Sequence, residues 1–156
     1  MKMKMITTLL GAICGLMLVL SPVSANEKPF FKNLEITDIK LSGHKIHIKG
    51  NSDLPEGTQL HLDFHAPWLN TSEGNKKTIK VRVNSNKFFV MIDIPKDKKI
   101  KDLRGTSILF KIFFRPSLQD DDIKLKVGAK GEHLKGEHLA VADGEKILTD
   151  SKKFLF

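Results

Sequence analysis

Only one cysteine occurs among the 156 residues, Cys14. It sits in an N-terminal stretch built like an export signal, so neither a disulfide nor thiol chemistry is expected of the working domain. Catalytic signatures are missing too. There is no Gly-x-Ser-x-Gly elbow, no His-Glu-x-x-His helix and no phosphate loop, and no segment pairs a nucleophile with a base. The enzymatic reading that remains is a hydrolase site assembled from distant residues. No window keeps a 3.6-residue apolar period over eleven or more residues, which excludes a long amphipathic helix. No cofactor is expected.

The N-terminal stretch has the three parts of a secretory signal. Lys2 and Lys4 give a positive start, an apolar run extends from Met5 to Leu20, and Val23-Ser24-Ala25 supplies small residues before a cut between Ala25 and Asn26. A membrane span needs about 20 apolar residues; this run is shorter, holds Thr7 and Thr8, and ends at Ser21-Pro22. Ile13 before Cys14 disfavours a lipoprotein. The expectation is therefore an exported protein, in a periplasm or at a cell surface, with no transmembrane anchor after cleavage. Leu54-Pro55-Glu56-Gly57-Thr58 is not a wall-sorting signal, because its last two residues are in the wrong order and no apolar tail follows.

Removing 25 of the 156 residues leaves 131, enough for one domain, residues 26–156, with a core of its own. The formal charge drops from +8 to +6 as Lys2 and Lys4 leave. A basic exported domain favours contact with an anionic wall or membrane surface, or with an envelope protein. Export argues against nucleic acid as a partner.

From Leu34 onward the chain reads as about seven short strands separated by Gly, Pro, Asn and Asp clusters. They fall at Leu34 to Leu41, with a bulge signalled by the phase slip between Ile36 and Ile39, at His44 to Lys49, Gln59 to His65, Thr78 to Val83, Lys87 to Ile94, Ser107 to Phe114 and Ile123 to Val127. Both faces of Lys87 to Ile94 are partly apolar, as in a central strand. Lys96 to Arg104 has room for one helical turn, and Asp120-Asp121-Asp122 reads as a turn. Strands with single apolar faces are satisfied by two antiparallel sheets packed together, so the fold expected is an all-β, immunoglobulin-like β-sandwich. A closed barrel is the alternative.

The segment Gly50-Asn51-Ser52-Asp53-Leu54-Pro55-Glu56-Gly57-Thr58-Gln59-Leu60 resembles the Asn-Leu-Pro-Asp-Gly-Thr signature of bacterial extracytoplasmic domains with an immunoglobulin-like or fibronectin-like sandwich. Phe113 to Gln119 and Val127 to Gly136 are similar to the same group, and the resemblance covers most of residues 34–140. The chain departs from the group at Asp53 and Glu56. The resemblance implies a fold and no defined activity. The residues themselves read as a turn, with Pro55 at its second position and Gly57 at positive φ.

Two kinds of candidate site follow. His61, Asp63 and His65 alternate on one strand face and would offer metal ligands, with His44 and His47 on a possible neighbour strand; the plainer reading is a solvated face. The echo Gly131-Glu132-His133-Leu134-Lys135 and Gly136-Glu137-His138-Leu139-Ala140 reads as a turn with an edge strand rather than a metal site. Lys45, Lys49, Lys80, Arg82, Lys124 and Lys126 are candidates for a basic binding face, or ordinary solvent-facing lysines that protect sheet edges. Trp68 either caps the core or stacks on a ligand. The leading expectation is a non-enzymatic domain binding a macromolecule or anionic surface, and the alternative is a metal-binding module on the strand histidines.

Overall fold

Alternation of apolar residues produces most of the architecture directly. The computed structural model describes residues 29–69 and 74–156, so the expected export signal and the expected cut between Ala25 and Asn26 lie outside the described residues. These residues hold eight strands: β1 (Leu34–Ser42), β2 (Lys45–Ser52), β3 (Gln59–His65), β4 (Lys76–Arg82), β5 (Lys87–Asp93), β6 (Ser107–Phe114), β7 (Leu139–Ala142) and β8 (Glu145–Leu155). They form two antiparallel sheets, one in the order β1-β2-β5 and one in the order β4-β3-β6-β8-β7. The fold is an all-β sandwich.

Between the sheets Ile46 and Ile48 of β2 and Phe88, Val90 and Ile92 of β5 meet Leu60, Leu62 and Phe64 of β3 and Ile108, Phe110, Ile112 and Phe114 of β6, all buried. Each such side chain contributes about 1.5–3 kcal/mol relative to exposure, so this shared core holds the sheets together. The bulge expected in β1 is present, as a register shift between Ile36 and Asp38 against β2. It leaves backbone groups that the ladder cannot satisfy, and β8 supplies them from the other sheet. Asp150 accepts the Ile36 N–H at 2.7 Å, and Lys152 Nζ donates to the carbonyls of Ile36 and Thr37 at 3.1 and 2.9 Å.

Three expectations need correction. Residues 121–127 are a helix, α1 (Asp121–Val127), not a strand. Ile123 and Val127, one turn apart, are buried while Leu125 is 74% exposed, and the acidic residues lie where the helix dipole favours them. Three apolar residues at alternate positions are too few to tell the two periods apart. Next, β5 is an edge strand of the three-stranded sheet, not a central one. Its second apolar face, with Phe89 and Met91, is half exposed. Finally, the turn hydrogen bond runs from the Thr58 N–H to the Pro55 carbonyl, which makes Pro55 the first turn residue; Gly57 has the expected positive φ of 80°.

The echoed pentapeptides take different structures. Leu134 is fully buried and bridges to Phe31 in parallel, whereas Leu139 opens β7, an edge strand as expected. The 3-10 turn Ile100–Leu103 falls inside the expected helical stretch. Among the described residues no helix is long and apolar enough to cross a membrane.

Candidate anion-binding cleft

The turn from β4 to β5 carries the chain from the large sheet to the small one. Ser85 and Asn86 both have positive φ, 50° and 60°, while Asn84 and Lys87 exchange two backbone hydrogen bonds. This is the two-residue turn whose twist suits a β-hairpin. Glu56 locks it by accepting the Ser85 N–H at 2.9 Å. Lys87 and Asn84 are thereby held at a fixed corner of the sandwich.

At that corner lies a cleft of about 660 Å³, the size of a small-ligand site. Lys49 from β2, Arg82 from β4 and Lys87 from β5 line it, so both sheets contribute cations, and no lining residue is acidic. Lys49 and Lys87 form no ion pair among the described residues, and Arg82 Nη1 donates to the Gly57 carbonyl at 3.0 Å rather than to a carboxylate. Uncompensated cations sharing a concave site favour an anion, because low-dielectric walls focus their field. Thr37, Gly50, Asn51, Asn84, Phe88 and Phe89 complete the wall.

Of the residues singled out in the sequence, Lys49 and Arg82 are thus brought together, 33 positions apart. The others are scattered. Lys45, on the same strand as Lys49, pairs with Asp93 at 3.7 Å; Lys80 stands beside His61 on the large sheet; Lys124, on α1, pairs with Asp121 at 3.2 Å, and Lys126 is on the same helix. Trp68 packs edge-on against Phe156 with ring centres 5.8 Å apart, on the side of the core-capping reading. Lys87 and Phe89 escaped sequence reading. Their signal was an apolar residue, Phe89, on the polar side of a strand.

The histidines do not assemble. His47 is on β2 in the small sheet, with His44 in the turn before it, while His61 and His65 are on β3 in the large one, so the two strands are not neighbours in a sheet. Asp63 is taken up by the Thr78 hydroxyl at 2.5 Å and by Lys76 at 3.1 Å. His61 is 5% exposed, stacked on Phe113 at 5.3 Å, with Gln59 Nε2 3.2 Å from its Nε2. Among the described residues no group of three or more His, Cys, Asp or Glu could hold a metal.

Burial lowers the pKa of His61 below its ordinary 6.5, the nearby Lys80 ammonium pushes the same way, and Asp63 opposes them. Folding therefore prefers the neutral ring, and the unfolded chain binds more protons near pH 6.5. The stability tied to His61 is fully present above that pH and is lost as pH falls through the lower folded value. His61→Gln should flatten this part of the stability profile between pH 7.5 and 5, measured by urea unfolding; parallel profiles for the two proteins would show that His61 is not its source.

No protein-family model matches the chain, nor does any curated protein sequence. Two solved structures resemble it, both of OgpA from Akkermansia muciniphila. The wild-type structure matches at 17% identity over 82% of this chain and 30% of OgpA. The catalytic inactive form, in complex with an O-glycopeptide (glycodrosocin) substrate, matches at 15% identity over 85% of this chain and 32% of OgpA. The TM-score is 0.39 in both cases, and the chain spans about a third of that protein's length.

Proposed function

We propose that this chain is a non-enzymatic, exported β-sandwich that binds an anionic polymer of the cell envelope through the cleft at the β4–β5 corner. One observation carries the reading: Lys49, Arg82 and Lys87 line one concave site from both sheets, and no carboxylate lines it. The export signal read from residues 1–25 and the formal charge of +6 that its removal would leave agree with such a role.

Binding of the full chain to inorganic polyphosphate, a soluble polyanion, tests it. Affinity is expected to fall steeply between 50 and 300 mM salt, because exposed charge contacts are screened. Lys49→Glu and Lys87→Glu together are expected to weaken it about 10-fold or more, on the order of 1.4 kcal/mol. Lys153→Glu, on the outer face of the large sheet, should change it less than about 2-fold. Equal losses from both changes would show diffuse attraction with no site, and no binding at low salt would end the proposal.

A further inference from the structure

We propose that the ligand of this cleft is an acidic polysaccharide, with a sugar ring stacked on Phe89 and its carboxylates held by Lys49, Arg82 and Lys87. This rests on the anion-binding reading above and names the class of anion. Phe89 lines the cleft on the solvent side of β5 and is 48% exposed. Met91, next along the same face, is 46% exposed. Alternation in an edge strand would put polar residues at both positions, so the apolar surface there is not required by the fold. The Phe89 ring is braced by the His47 imidazole, with centroids 5.8 Å apart and planes inclined by 33°. It is a supported platform beside three cations.

The remaining polar groups choose between anions. A bare phosphate or carboxylate needs only donors, whereas sugar hydroxyls both donate and accept. The Asn51 side chain, which makes no hydrogen bond among the described residues, offers both functions. The Thr37 hydroxyl donates to the Lys49 carbonyl at 3.2 Å and so presents its lone pairs as acceptors. Asn84 adds a second amide. The concavity also favours a chain lying in the cleft over a flat bilayer, which would meet only the rim.

The test compares the full chain with Phe89→Ala, Phe89→Trp and Lys49→Ala, and with Leu109→Ala as a control at an exposed apolar site on the other sheet. The probes are polygalacturonate, inorganic polyphosphate, neutral dextran and phosphatidylglycerol vesicles. Polygalacturonate should bind and dextran should not. Phe89→Ala should weaken polygalacturonate about 5-fold or more, in the range of aromatic contacts, while Phe89→Trp retains affinity. Lys49→Ala should weaken both polyanions. Unfolding midpoints matching the parent chain would show that the variants remain folded.

Loss of polyphosphate binding in Phe89→Ala equal to the loss of polygalacturonate would overturn the stacking and leave the anion-binding reading in place. So would a Phe89→Ala effect no larger than that of Leu109→Ala. Vesicle binding that depends on Phe89, without polygalacturonate binding, would replace the sugar by a lipid surface. Failure of every anionic probe at low salt would remove both this inference and the reading beneath it.

Discussion

Gly50→Ala is expected to destabilise the fold by about 3 kcal/mol, the upper end of the usual cost of overpacking. Gly50 sits on the buried side of β2, opposite Ile36 of β1. A Cβ there would collide with two groups, the ring of Phe88 and the carbonyl oxygen of Glu35. Phe88 is buried and packed, so its ring cannot swing away cheaply. The Glu35 carbonyl is backbone, and moving it would pry β1 from β2 beside the bulge. Phe88→Leu should relieve only the first obstacle, so the double variant should be less destabilised than the sum of the single changes. Urea unfolding with an unchanged m value measures both. A loss below about 0.5 kcal/mol, the range of indifferent surface changes, would mean that the strands do not approach so closely.

Asp150→Ala is expected to cost about 2–3 kcal/mol, as removing a charged acceptor leaves a part-buried N–H unpaired. Asp150 receives the Ile36 N–H at 2.7 Å and lies 3.9 Å from His138 Nδ1. It faces β1 from within the large sheet, with Lys152 beside it binding the adjacent carbonyls. Together they join the small sheet's edge strand to the large sheet where backbone pairing is interrupted. Asp150→Asn keeps an acceptor oxygen and should lose about half as much. Amide exchange at Ile36 gives a local readout and should quicken in Asp150→Ala. Unchanged protection there, even with lower global stability, would place the loss elsewhere.

Both effects bear on the cleft. Gly50 borders Lys49, and Thr37, on the cleft wall, is the bulged residue whose carbonyl Lys152 holds. The site therefore stands on the part of the sandwich where sheet pairing is least regular. That is a common setting for ligand contacts, since a bulge re-aims side chains.

The Ile36 and Ile39 phase slip announced the bulge, because period-two alternation breaks wherever an extra residue is inserted. Gly57 announced its turn, because positive φ is costly for other residues. β8 was not read as a strand over its length: Asp150 and Lys152 face inward to serve β1, so its alternation is interrupted by polar residues where apolar ones would signal a strand. For the site, Lys49 and Arg82 were visible as cations but not as partners. The second apolar face of Lys87 to Ile94, which holds Phe89, suggested a central strand, since an exposed apolar face on an edge strand has the same local pattern.

By itself the sequence determined the all-β class, the first six strands, the bulge and the Gly57 turn, because each depends on local periodicity and backbone preference, which act between neighbours in the chain. Only the tertiary structure decided that residues 121–127 are helical, that β5 lies at an edge, that the histidines occupy different sheets, and that Lys49, Arg82, Lys87 and Phe89 share one cleft. Those outcomes depend on which strand lies beside which. Sheet order arises from burying the whole core at once, a long-range free energy that no short window of sequence contains.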